Sequence, residues 1–233
     1  MILKNENILQ QKIHHKSHIC GAGHSVCSNL YRRCNRTPCR SFLPLGQHKG
    51  NNKNYLLRSC YCLLFSPRYG FFQQKGYDLA VDAAEILVKK GYNFKWFSIG
   101  KGELKTEIEQ KIKEKNLEEK FILLGEKSNP YPYLAKCDIY VQPSYFEGKS
   151  IAIDEAKCLA KPIVVTKFTT VYDQLADGET AVLAEINAES IAEKIALLID
   201  NENLVETLSE NLKKTKHGNE EEVQKFYALL GEK

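Results

Sequence analysis

The chain lacks any long hydrophobic run. Its apolar stretches, such as Tyr61 to Phe65, fall far short of the about 20 residues a membrane-spanning helix needs. Met1 to Lys16 is polar and has no apolar core of the kind a secretory signal carries. These absences lead to the expectation of a cytoplasmic protein, in free solution or at the inner face of the membrane. Acids are nearly absent from the first third. Residues 1–75 hold 12 of the 33 basic residues and one acid, Glu6, a balance of +11. Residues 76–233 hold 21 basic and 28 acidic residues, a balance of −7, and the two make the formal +4. After residue 75 histidine is nearly absent too, with one of six, and no D-x-D occurs. That leaves this part without an evident metal-binding set, and no metal is expected. What is present is ordinary for a globular protein: 43% hydrophobic and 27% charged residues over 233 positions. A wholly disordered chain is excluded, and a real core can form without disulfides.

Residues 1–75 show no clean helical or alternating pattern. Short apolar patches, Ser41 to Leu45 and Tyr55 to Phe65, could supply a strand or two. Three readings compete. Cys20, His24, Cys27, Cys34 and Cys39 are zinc-type ligands, but zinc sites bring cysteines in close pairs. Here the intervals are six, six and four residues. The +11 charge would attract nucleic acid without sequence preference, yet no recognition motif accompanies it. The third reading, which we favour, is that residues 1–72 are an irregular basic, Cys-rich segment, disordered or translated from a disrupted frame.

From Gly76 the pattern becomes regular. Asp78 to Lys90 places Leu79, Ala83, Ile86 and Leu87 on one helical stripe. Further helices are expected at Glu103 to Lys115, Tyr133 to Cys137, Ser150 to Leu159, Val171 to Ala176, Ser190 to Ile199, Leu204 to Lys214 and Glu220 to Leu230. Strands are expected at Phe94 to Ile99, Phe121 to Leu124, Ile139 to Gln142, Ile163 to Thr166 and Thr180 to Ala184. Strands alternating with helices predict an α/β, Rossmann-like parallel sheet with helices on both faces, spanning residues 73–233. Ligands in such sheets bind beyond the carboxyl ends of the strands, in the loops after Ile99, Leu124, Gln142 and Thr166.

The loop after Gln142 reads Pro143-Ser144-Tyr145-Phe146-Glu147-Gly148-Lys149-Ser150 and enters a helix. Gly148 lets a ligand approach the backbone. The amides of Ser150, Ile151 and Ala152 at the helix start form an anion site, with Lys149 beside it. Glu147 and Glu155 bracket that site and suit hydroxyl-bearing parts of one ligand. The plainer reading is a capping Glu147 and a solvated helix Glu155.

The segments Cys137-Asp138-Ile139-Tyr140-Val141-Gln142-Pro143-Ser144, Glu147-Gly148, Glu155-Ala156 and Lys161-Pro162-Ile163-Val164-Val165-Thr166 resemble the donor-binding domain of family-4 retaining glycosyltransferases of the GT-B fold. Glu147 and Glu155 match that family's E-x₇-E motif. Lys75-Gly76-Tyr77-Asp78 resembles its lysine–glycine segment. Ile99-Gly100-Lys101-Gly102 resembles its glycine turn, and Phe121 to Gly125 the strand beside the nucleotide base. The resemblance covers about residues 73–215. It implies that Glu147 and Lys75 are catalytic, with Glu147 facing the donor sugar. Glu155 would hold the ribose. Gly148, Lys149, Ser150, Ile151, Gly100, Gly102 and Gly125 would line the donor site. The donor is a nucleotide diphosphate sugar, no other cofactor is implied, and the acceptor is a glycan or lipid-linked molecule.

Three departures stand out. Gly70 occupies the position of the family's diphosphate-gripping arginine, with Arg68 two residues away. Asp173 stands where the family has a glutamate. A whole GT-B enzyme has an acceptor domain of similar size, and residues 1–72 are too short to be one. The expectation is therefore a donor-binding half with little activity alone. Two alternatives are a non-catalytic nucleotide-sugar-binding module and a basic nucleic-acid-binding protein acting through residues 1–75.

Overall fold

The computed structural model describes residues 61–65 and 73–215. Six strands form one sheet: β1 Tyr61–Phe65, β2 Phe94–Ile99, β3 Phe121–Gly125, β4 Ile139–Gln142, β5 Ile163–Thr166 and β6 Val182–Ala184. Six helices accompany them: α1 Tyr77–Lys89, α2 Lys105–Glu114, α3 Tyr131–Lys136, α4 Ile151–Cys158, α5 Ala188–Asp200 and α6 Glu202–Lys214. Short 3₁₀ turns at Gln73–Lys75 and Val171–Asp173 complete the order. All pairings are parallel and the strand order is β3-β2-β1-β4-β5-β6.

Strict alternation along the strands builds two apolar layers. Leu63, Phe94, Trp96, Phe121, Ile139, Val141 and Val164 face a cluster with α1, α2 and α5. Leu64, Phe97, Ile99, Tyr140, Ile163 and Val165 face a second with α3 and α4. Helix α6 packs on α4 and α5, giving Leu208 to the first layer and Leu212 to the second. Strands covered on both faces read as near-continuous apolar runs, which is why IYVQ and IVVT were legible as strands.

The structure corrects several expectations. The boundary expected at residue 73 cuts off β1, which pairs with β2 over Tyr61–Phe65 and with β4 at Leu63 and Leu64. Without it β2 and β4 would each lose a backbone ladder in the middle of the sheet. The inward stripe of α1 is Tyr77, Ala80, Val81, Ala83, Ala84 and Leu87, with Leu79 and Ile86 at its margins. The alanines let the helix lie close to α5, so the small residues, not the largest ones, mark the buried face. The helix expected over Val171 to Ala176 is only the turn Val171–Asp173. The zinc-type cysteines and the helix expected over Glu220 to Leu230 lie outside the described residues.

Helices α1 and α2 are tied by Lys115, which reaches both Glu85 and Asp82, and by Lys111 on Asp82 at 2.8 Å. Hydrogen bonds from Lys115 and then Lys89 hold the Glu85 carboxyl down from its ordinary 4.5 to about 2. A depressed carboxyl stabilises the fold above the unfolded value and loses that contribution as pH falls. The tie should therefore weaken between pH 4.5 and 2. In an NMR titration, Lys115→Ala should return the Glu85 pKa toward its ordinary value. An unchanged Glu85 titration in that variant would refute the assignment.

Candidate functional site

The order 3-2-1-4 reverses direction between β1 and β4, and ligands of open α/β sheets bind in the crevice at such a reversal. The chain leaving β4 is the loop 143–150, and the chain arriving from β1 is the turn Gln73–Lys75. The two are stitched together. Gly76 has φ 67°, and a Cβ there would lie 1.9 Å from the Pro143 carbonyl oxygen. Only glycine admits both that conformation and that approach. The Tyr145 amide donates to the Gln74 carbonyl at 2.8 Å, and the Tyr145 hydroxyl donates to Asp78 at 2.5 Å. Burial and then Asp78 push the Tyr145 hydroxyl up to about 12, so it stays a donor.

This stitching joins two residues 72 positions apart. The Lys75 ammonium contacts both oxygens of Glu147, at 2.7 and 2.9 Å. Their side chains are only 8% and 11% exposed. Glu147 Oε1 also accepts from Ser144 Oγ at 2.8 Å and from Gln142 Nε2 at 3.2 Å. The Gln142 side-chain oxygen, Oε1, accepts from the Tyr140 hydroxyl at 3.0 Å and from Ser150 Oγ at 3.1 Å. That amide is thereby oriented: its oxygen takes two hydroxyls and its nitrogen turns to Glu147. Burial, then the charges of Glu155 and Glu147, push the Tyr140 hydroxyl well above its ordinary range. It remains a protonated donor.

Helix α4 begins at the expected cap, with Ser150 Oγ accepting from the Ile153 amide at 3.4 Å. One expectation changes here. The Ser150 amide is not open to an anion, because Gln174 Oε1 accepts from it at 2.8 Å. Gln174 Nε2 donates back to the Ser150 carbonyl at 2.9 Å and to Asp154 at 3.2 Å. The capping leaves Ile151 and Ala152 as the first-turn amides without an intrahelical acceptor. Thr170 Oγ donates to the carbonyls of Glu147 and Gly148, at 2.8 and 2.9 Å. Gly148 and Lys149 are exposed, and a Cβ on Gly148 would meet open space. The turns 73–75 and 170–174 thus converge on the loop 143–150.

Glu155 lies one turn into α4 and is 8% exposed, which removes the reading of a solvated glutamate. Its Oε1 accepts from the Tyr131 hydroxyl at 3.2 Å. Gly100, Gly102 and Gly125 lie at the carboxyl ends of β2 and β3, on the far side of β1 from Glu147. Gly100 donates its amide to the Gly125 carbonyl at 3.1 Å, so these two turns support each other. Asp173 is exposed, and it is the neighbouring Gln174 that reaches the α4 terminus. Gln142, Ser144, Thr170, Gln174 and Tyr131 were not singled out from sequence. Their signal was polarity in apolar surroundings: Gln142 ends a buried strand, and Gln174 interrupts Val171 to Leu175. Among the described residues no group of three or more metal-type ligands occurs, and no helix is long and apolar enough to cross a membrane.

Residues 61–215 match the family described as Glycosyl transferases group 1. The chain belongs to this family. An uncharacterized glycosyltransferase of Methanocaldococcus jannaschii is 36% identical over 144 residues, 60% of this chain and 39% of that protein. The capsular polysaccharide biosynthesis glycosyltransferase CapM of Staphylococcus aureus is 31% identical over 148 residues, 61% of this chain and 38% of that protein. The chain thus spans about two fifths of the length of these relatives. Among solved structures, TarM superimposes with a TM-score of 0.67 at 26% identity, over 78% of this chain and 37% of TarM. The C-terminal domain of the group 1 glycosyl transferase LpcC of Francisella tularensis superimposes with a TM-score of 0.58 at 26% identity, over 66% of this chain and 82% of that domain. A TarM mutant from S. aureus has been crystallised with UDP.

Proposed function

We propose that this chain forms the donor-binding wall of a retaining glycosyltransferase, which moves a sugar from a nucleoside diphosphate to a glycan or lipid-linked acceptor. The observation that carries the reading is the Lys75–Glu147 pair at the strand-order reversal, with the buried Glu155 eight residues on. Glu147 faces the sugar hydroxyls and Glu155 the ribose hydroxyls. The diphosphate lies between them, against Lys75, Lys149 and the first amides of α4. Departure of the nucleoside diphosphate builds negative charge on its terminal phosphate. A lysine and a helix start aimed there act most strongly in the transition state. Lys75 meets a phosphate by giving up one of its two contacts with Glu147, so donor binding redistributes an existing charge pair. No new cation has to be buried.

The match to an isolated C-terminal domain supports the donor half as this chain's share. Orienting an acceptor needs a second wall. On this reading the 233-residue chain binds donor well but turns it over slowly without that wall. Calorimetry with UDP, GDP and ADP, alongside release of nucleoside diphosphate from their sugar conjugates, is the test. Binding with a Kd between about 1 µM and 1 mM is expected for one of them. No heat with any, from a folded sample, would remove the reading. Glu155→Ala should weaken the bare nucleotide by about 1–3 kcal/mol, the cost of a lost charged hydrogen bond. An unchanged Kd would take the ribose role from Glu155.

A further inference from the structure

We infer that Gln142 and Ser144 are positioning residues that limit Glu147 to a single hydroxyl of the donor sugar. The inference rests on the reading above, in which Glu147 faces the sugar. A carboxylate has about four acceptor directions, shared equally between its oxygens. On Glu147 they are unequally filled. Oε1 accepts from Lys75 at 2.7 Å, from Ser144 Oγ at 2.8 Å and from Gln142 Nε2 at 3.2 Å. Among the described residues Oε2 accepts from Lys75 alone, at 2.9 Å. A pair of vicinal hydroxyls bridged by this carboxylate would need both oxygens, and one of them is full.

The groups that fill Oε1 are themselves held. Ser144 and Gln142 are 0% and 2% exposed. The Ser144 carbonyl accepts from Thr166 Oγ1. Gln142 Oε1 takes the hydroxyls of Tyr140 and Ser150, which turns Nε2 toward Glu147. Lys75 differs from both, because it is the partner that turns to the phosphate when donor binds. Ser144 and Gln142 by themselves still fill Oε1 after that turn. A carboxylate without such partners rotates about its last torsion. With them its plane stays set, and Oε2 is the oxygen left for the sugar. A site built to pair with a hydroxyl discriminates against the analogue lacking it, because its own polar group is then left unpaired. Gln142 and Ser144 thus act on the sugar through Glu147 and concentrate that discrimination on one hydroxyl.

The test is calorimetry on the full chain with UDP-glucose, GDP-mannose and ADP-glucose. The best binder is then compared with its monodeoxy forms, one sugar hydroxyl removed at a time, on wild type and Ser144→Ala. Wild type should bind one of these forms at least about tenfold more weakly than the parent, the loss of one charged hydrogen bond. In Ser144→Ala that penalty should shrink to about threefold or less, since the carboxylate can then turn away. A merely structural Ser144 would weaken the parent and its deoxy forms alike and leave every ratio unchanged, and that result overturns the inference. Two adjacent hydroxyls whose penalties shrink together overturn it too, because Glu147 would then bridge a pair, although its place at the sugar would stand. Gln142→Asn, whose amide falls one carbon short of Glu147, carries the same comparison if Ser144→Ala folds poorly. A wild type indifferent to every deoxy form, or without affinity for any of the three conjugates, removes both this inference and the sugar role of Glu147.

Discussion

Gly76→Ala should destabilise the protein by about 2–5 kcal/mol and abolish donor binding. Two independent costs add here. The left-handed conformation at φ 67° costs an alanine about 1–2 kcal/mol. Its Cβ would also sit 1.9 Å from the Pro143 carbonyl oxygen and 2.9 Å from the carbonyl carbon. Both are backbone atoms and cannot rotate away, so the turn at Gln73–Lys75 must part from the loop 143–145. Such overpacking typically costs a further 1–3 kcal/mol, roughly. The separation breaks the Tyr145–Gln74 backbone bond and draws Lys75 off Glu147. The melting temperature should fall by roughly 10 °C for a chain of this size. Gly91→Ala is the matched comparison, with φ 82° and open space around its Cβ. It carries the conformational cost alone, about 1–2 kcal/mol, and should leave nucleotide binding unchanged. Equal melting temperatures for the two variants would show that the loops do not meet as described.

That comparison also shows what could be read from sequence and what could not. The strands Phe94–Ile99, Ile139–Gln142 and Ile163–Thr166 were legible because burial on both faces leaves an unbroken apolar run between turn residues. Strand β1 carries the same signal in Tyr61 to Phe65. The patch Tyr55 to Phe65 reads as a possible strand, but the basic, Cys-rich stretch around it sets it outside the domain, and a five-residue run alone does not join it to a sheet. Its necessity is a property of the sheet: β2 and β4 are bridged only through it. The site divides the same way. Glu147, Glu155 and the Ser150 cap are spaced along one segment, so local pattern finds them. The Lys75–Glu147 contact depends on β1 and β4 being neighbours, which no local pattern expresses. Gln174 was missed in favour of Asp173 by one position. In the tight turn Val171–Asp173 that one step separates an exposed side chain from one against the α4 terminus.

Glu147→Ala should lower stability by about 3–5 kcal/mol, because it leaves the Lys75 ammonium buried without its counter-charge. Ser144 Oγ and Gln142 Nε2 lose their acceptor in the same change. Each such orphaned group adds to the cost. This loss is the reverse of what an exposed active-site glutamate would give, since exposed ion pairs contribute little. The variant should also separate the two parts of the ligand. On the proposed reading a nucleotide sugar loses the carboxylate meant for its hydroxyls, so the conjugate should bind no better than the bare diphosphate. The bare diphosphate, by contrast, brings negative charge to a lysine that has just lost its own. It binds only the folded state and so raises the melting temperature by mass action. That rise should be larger in Glu147→Ala than in wild type, where Lys75 must first release one carboxylate oxygen. Glu147→Gln should fall between the two, because the amide still accepts from Ser144 or Gln142 but carries no charge for Lys75. Thermal unfolding of the three proteins, with and without saturating nucleoside diphosphate, gives the whole comparison. If the diphosphate stabilises wild type and Glu147→Ala by the same amount, Lys75 does not meet the phosphate, and its place beside Glu147 serves the fold alone.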